Sequence, residues 1–163
     1  MNSIYKSEKG DESNYWNWNG FRIFWSVRGK KNQHPIILLH GFGASSKHWR
    51  SNSYYFAKKG YSVYSIDLIG FGNSAQPGIR EIGKLDNGVW CNQVSDFIKQ
   101  VIRPKTSNKI ILIGNSLGSL VALTCAVYLK NEILSVIASP LPDPIIINKK
   151  VSKLNSSFEK FKT

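Results

Sequence analysis

The stretch KIILIGNSLGSLVA, residues 109–122, limits the fold more than any other part of the chain. Residues 110–113 form an unbroken apolar, mostly β-branched run, the pattern of a strand buried on both faces. Residues 117–129 are apolar on most sides, so a helix follows, expected to lie centrally. Between them stands Gly114-Asn115-Ser116-Leu117-Gly118, a strand-to-helix turn with no spare residue. So sharp a turn brings strand and helix nearly into contact two residues on either side of Ser116. Glycine at both places is what that approach requires. Strands and helices that alternate in this way build a parallel sheet covered by helices.

The remaining pattern agrees. Residues 35–39 (PIILL) form a second continuous apolar strand, and residues 61–66 and 133–138 form two more. Ser45 or Ser46 caps a helix that runs through Trp49, Tyr54 and Phe56 and stops at Gly60. Asp86 or Asn87 starts another, with Trp90, Val94, Phe97, Ile98 and Val101 on one stripe and Arg103-Pro104 as its end. Ahead of these, residues 16–18 and 21–27 flank Asn19-Gly20, the signal of an antiparallel hairpin. The expected architecture is one α/β domain with a mostly parallel sheet and an N-terminal antiparallel hairpin. Residues 1–14 are expected to be a polar leader and 15–140 the core.

At 163 residues, 42% hydrophobic and 12% aromatic, the chain can bury a substantial core. No apolar run approaches the roughly 20 residues of a membrane span, and the first residues lack the apolar stretch of a secretory signal. Cys91 and Cys125 form neither a C-x-x-C pair nor a zinc spacing, so they are expected to be reduced thiols in a cytoplasmic protein. The net charge of +12 invites an anionic partner. The basic residues are nonetheless spread out, with groups only at Arg28, Lys30 and Lys31 and at Lys149, Lys150 and Lys153. No basic-aromatic RNA motif or basic heptad region accompanies them, so nucleic acid is not an expected partner.

Three motifs carry chemistry. A serine hydroxyl is a weak nucleophile until it is presented to a base, and the turn at Gly114–Gly118 lifts the Ser116 hydroxyl above the sheet. The helix N-terminus beneath it favours negative charge. His40-Gly41-Phe42-Gly43 follows the strand at 35–39 and offers backbone amides to a developing oxyanion. Asp67-Leu68-Ile69-Gly70-Phe71-Gly72-Asn73-Ser74 closes the strand at 61–66. With Ala75 it satisfies G-x-G-x-x-A, the dinucleotide fingerprint. That fingerprint must open a helix at once, and Gln76-Pro77-Gly78 interrupts. A Gly-rich loop beside the sheet's carboxyl edge is the reading kept, and no cofactor or metal is expected.

HGFG, DLIGFGNS and GNSLGS, in this order and on these elements, resemble the N-terminal half of the α/β-hydrolase fold. WNWNGFRI with GNSLGS is similar to the cyanobacterial and chloroplast hydrolases that include pheophytinase. The resemblance covers about residues 16–140. It implies a three-layer sandwich, here truncated before its last strands, with residues 141–163 the start of a lid region or a non-native tail. It makes Ser116 the nucleophile and the amides of Phe42 and Leu117 the oxyanion hole, with Gly114, Gly118, His40 and Gly41 in support. The implied activity is hydrolysis of an ester, thioester or related acyl bond of a small-molecule substrate. Serine at position 116 argues against the dehalogenase and epoxide-hydrolase branches, which resemblance associates with aspartate there.

The resemblance also implies an acid and then a histidine after the serine. The acidic residues there are Glu132, Asp143 and Glu159. Of these Asp143, which follows the strand at 133–138, is the candidate acid. All three histidines, His34, His40 and His48, precede Ser116, so the chain holds no candidate base. The alternative is a non-enzymatic module that keeps the hydrolase core and binds a partner.

Overall fold

The computed structural model describes residues 11–29 and 33–140. Its sheet has six strands: β1 (Asp11–Trp18), β2 (Phe21–Arg28), β3 (Pro35–Leu39), β4 (Ser62–Ile66), β5 (Ile110–Gly114) and β6 (Ile133–Ala138). They lie in the order β1-β2-β4-β3-β5-β6. The hairpin β1–β2 is antiparallel and β2 meets β4 antiparallel, while β4, β3, β5 and β6 run parallel. The helices are α1 (Arg50–Lys58), α2 (Ile79–Ile82), α3 (Asn87–Phe97) and α4 (Leu117–Tyr128).

Asn19 and Gly20 turn the hairpin with φ of 51° and 85°, the two positive values that a two-residue turn of this twist requires. The Asn17 side-chain oxygen accepts from the Gly20 amide at 2.9 Å. β1 begins at Asp11, inside the stretch expected to be a polar leader. The ladder stays in register from Trp18 opposite Phe21 to Asp11 opposite Arg28. Backbone pairing to β2 thus orders polar residues that carry no apolar signal, and polar side chains suit an edge strand.

Strand alternation divides the core into two layers. Ile37, Leu39, Ile66, Ile110 and Leu112 face α3 and α4, meeting Val94, Phe97, Val121 and Cys125. Ile36, Leu38, Val63 and Ile113 face the other way, against Trp49, Phe56 and Ala57. The result is three layers, with every residue of β3 and β4 buried. A single 3-10 turn, Ser46–Trp49, precedes α1, and Ser45 stands at its start without a side-chain capping bond. Asp86 does cap α3, its carboxylate accepting from the amides of Gly88 and Val89 at 2.9 and 3.1 Å. Past Phe97 that helix widens into a π-helical segment, Ile98–Ile102, which keeps Ile98, Val101 and Ile102 in the core.

α4 departs from expectation. Val121, Ala122 and Cys125 are buried, but Leu120, Leu123, Val127 and Tyr128 are exposed. A helix on a sheet buries one face, and no described residue covers the other. β6, at the edge of the described sheet, likewise exposes Leu134 and Ile137.

Candidate active site

Ser116 sits between the end of β5 and the start of α4 with φ 51° and ψ −113°. Apart from Asn19 in the hairpin turn, it is the only described non-glycine residue with positive φ. Such a backbone costs of order 1–3 kcal/mol and persists where its surroundings over-determine it. Those surroundings are explicit. The Asn115 amide donates to the Leu39 carbonyl at 3.0 Å, and the Ser116 amide to the Pro140 carbonyl at 2.9 Å. The Asn115 side-chain amide donates to the Ser139 carbonyl at 2.9 Å. The Ser119 hydroxyl donates to the Gly114 carbonyl at 2.8 Å and accepts from the Ser139 amide at 3.0 Å. A Cβ on Gly114 would overlap the Gly118 carbonyl, and one on Gly118 would overlap the Leu39 carbonyl. Both glycines are therefore required by close approach.

The His40–Gly43 loop lies against this turn. A Cβ on Gly41 would stand 3.0 Å from the Asn115 side-chain oxygen and 3.4 Å from the Ser116 Cβ. The His40 ring is fully buried and engaged at both nitrogens. Nε2 accepts from the Leu68 amide at 3.0 Å, which leaves Nδ1 to donate to the Gly41 carbonyl at 2.8 Å. Burial lowers its pKa, against the opposing effects of the Gly41 carbonyl and Asp67. A neutral His40 thus joins the ends of β3 and β4. Phe42 is 78% exposed and meets Phe71 edge-on at 5.2 Å between ring centroids. Among the described residues, no hydrogen bond uses the amides of Phe42 or Leu117. The next amides of the turn are engaged: Gly118 donates to Asn115 at 2.9 Å and Ser119 to Ser116 at 3.0 Å.

Asp67 opens the third motif, but its own role was not read from the sequence. Its buried carboxylate accepts from the Ser46 amide at 2.6 Å and the Asn73 amide at 2.7 Å. Its backbone carbonyl accepts from the Ser74 hydroxyl at 2.6 Å and the Gln93 side-chain amide at 3.3 Å. One side chain therefore joins the loop after β3 to the loop after β4. A Cβ on Gly72 would collide with that carboxylate, which explains a glycine at that place. The available signal was an aspartate at a strand end followed by two glycines. The loop itself closes as a turn, with the Gly70 amide donating to the Ala75 carbonyl at 2.8 Å.

The other candidates lie apart from this cluster. His34 precedes β3, at the opposite end of the strand from His40, and is exposed. His48 is exposed and stacks edge-on against Trp49, 4.9 Å between centroids. Glu132 precedes β6, at the far end of the sheet from Ser116, and pairs with Arg103. Asp143 and Glu159 lie outside the described residues, as do Lys30, Lys31 and the basic group at 149–153. Among the described residues no helix is long and apolar enough to cross a membrane.

Residues 34–162 match the family model of the α/β hydrolase fold. The chain belongs to that family. Among hydrolase-fold relatives it is similar to epoxide hydrolase 4 of Mus musculus, at 30% identity over 133 residues, 82% of this chain and 35% of that protein. It is also similar to putative esterase/lipase 2 of Mycoplasma pneumoniae, at 27% identity over 139 residues, 85% of this chain and 49% of that one. Of solved hydrolase-fold structures, the thioesterase domain from the curacin biosynthetic pathway superposes with a TM-score of 0.73 at 21% identity, a likeness of fold, covering 90% of this chain and 53% of that one. The chain spans between 35% and 49% of the length of these two curated relatives.

Proposed function

We propose that this chain carries the nucleophile and oxyanion-hole half of a serine hydrolase acting on an ester, thioester or related acyl bond. The observation that carries the reading is the backbone of Ser116, φ 51° and ψ −113°, held at a strand-to-helix turn. Ser116 Oγ attacks the acyl carbonyl carbon, and the carbonyl oxygen takes up the negative charge. The Phe42 and Leu117 amides, which have no other acceptor among the described residues, donate to that oxygen. The N-terminus of α4 adds its dipole. Phe42 and Phe71 line the same edge with aromatic surface, which suits an apolar acyl or alcohol group.

Some relatives are named epoxide hydrolases and others esterases. Serine rather than aspartate at position 116 favours the acyl reading. A base must take the Ser116 proton, and no histidine follows Ser116 in the sequence. His40 has both nitrogens engaged, His34 is at the other end of β3, and the exposed His48 ring lies against Trp49. Removing the base from a serine-hydrolase site leaves roughly 10³–10⁴-fold acceleration over water, from binding and the oxyanion hole alone.

The test is labelling by a fluorophosphonate, with and without added imidazole as an external base. The expected result is a slow adduct on Ser116, accelerated by imidazole and absent from Ser116→Ala. No adduct after prolonged exposure, or equal labelling of both proteins, overturns the reading. The second reading, a partner-binding module, is favoured by exposed Leu134 and Ile137 on β6, the outermost strand of the described sheet on that side. It predicts a soluble, folded chain that never labels.

A further inference from the structure

The two cysteines of the sequence lie 34 positions apart, on different helices, yet the fold brings them together. Cys91 on α3 and Cys125 on α4 are both buried free thiols. Their sulfurs are 3.3 Å apart, and the Cys125 thiol also lies 3.7 Å from the Cys91 carbonyl. A disulfide needs a sulfur separation of about 2.05 Å. The pair lies just outside bonding distance, on two helices that pack against each other.

The two sulfurs are not equivalent. The Cys125 thiol donates to Cys91 Sγ, which lowers the Cys91 thiol to about 7 despite its burial. The same bond, with burial, pushes Cys125 up. Access is unequal as well. Cys91 is 3% exposed and Cys125 fully buried. Cys91 forms part of the wall of a cavity of about 750 Å³, bounded also by Trp18, Ile82, Val89, Asp96 and Leu129. A small oxidant entering that cavity meets Cys91 first. Thiolate character and access decide which cysteine reacts.

We propose that Cys91 and Cys125 are a redox modification site, in which a small peroxide oxidises Cys91 and Cys125 closes a disulfide joining α3 to α4. The Cys91 thiolate attacks one peroxide oxygen and the O–O bond breaks, giving Cys91 sulfenic acid and, after protonation, water. Cys125 Sγ then attacks Cys91 Sγ. The S–O bond breaks, and the Cys125 proton leaves with the departing hydroxyl as a second water. Two thiols and one hydrogen peroxide thus become one disulfide and two waters, with two electrons passing from sulfur to oxygen. A thiol reductant reverses the bond by exchange. The site is independent of Ser116 chemistry.

The test treats the reduced 163-residue chain with hydrogen peroxide and follows intact mass, free thiols after unfolding, and tryptic peptides. The expected product is a monomer lacking two hydrogens and both free thiols, in which peptides 85–99 and 110–130 are linked, restored by dithiothreitol. Cys125→Ser is expected to stop at a sulfenic acid on Cys91 that dimedone traps. Cys91→Ser is expected to leave Cys125 at least tenfold slower to react. The proposal is overturned by thiols that stay free where an exposed model thiol oxidises, by Cys91 oxidation that leaves Cys125 reduced, or by covalent dimers. Disulfide formation in the wild type without a dimedone adduct in Cys125→Ser overturns the assignment of Cys91 as the attacking sulfur.

Discussion

The Leu39 carbonyl oxygen occupies the space that a side chain at Gly118 would need, and it accepts the Asn115 amide at 3.0 Å. The last residue of β3 thus contacts both sides of the turn that presents Ser116. Neither glycine of that turn is there for a positive φ. Both are there because α4 passes over the ends of β3 and β5 at backbone contact.

Gly118→Ala therefore forces α4 away from β3. Overpacking of this kind costs about 1–3 kcal/mol, and more here because the opposing atoms are backbone. Urea unfolding is expected to show the loss, and fluorophosphonate labelling of Ser116 to fall with it. An unchanged midpoint would mean that strand and helix are farther apart than described.

The strain at Ser116 is separable from its chemistry. Ser116→Ala and Ser116→Gly both remove the hydroxyl, but only glycine adopts φ 51° with ψ −113° freely. The glycine variant is expected to be the more stable of the two by about 1 kcal/mol, and neither is expected to label. Equal stability would show that this backbone stores no strain.

Asp67→Asn keeps the volume and removes the charge. One of the two amides now on the carboxylate, Ser46 at 2.6 Å or Asn73 at 2.7 Å, would then face an NH₂ group. Hydrogen bonds to a charged acceptor are worth about 1.5–3 kcal/mol, so a loss of that size is expected in chemical denaturation. Hydrogen exchange should quicken at the amide that meets the NH₂ group, Ser46 or Asn73. Unchanged exchange at both amides would contradict the anchor.

His40 sets a pH window. Its folded-state pKa lies below the ordinary 6.5 because burial disfavours the charged ring. Between the lowered value and 6.5 the unfolded chain binds the extra proton, so stability rises with pH across that interval. The contribution is whole above 6.5 and is lost as pH falls through the folded value. Thermal unfolding between pH 7.5 and 5 is expected to show this fall, and His40→Gln to flatten it. An identical slope in both proteins would place the titration elsewhere.

Much of the fold was legible because its signals are local. Asn19-Gly20 announced the hairpin, and PIILL announced a strand buried on both faces. Gly114 and Gly118 around Ser116 announced a turn too tight for side chains. The start of β1 at Asp11 was not legible, since backbone pairing orders those polar residues. Nor was the exposed face of α4, since Leu120, Leu123 and Val127 carry the same apolar character as Val121 and Cys125. Periodicity states that a residue is apolar and is silent on what covers it.

The sequence by itself determined the elements, their α/β alternation and the place of Ser116, because propensity, turn chemistry and close approach act within a few residues. Only the tertiary structure decided the strand order, the anchoring of two loops by Asp67, the engagement of both His40 nitrogens and the meeting of Cys91 with Cys125. Each of these depends on packing between segments tens of residues apart, where the chain's local pattern carries no distance.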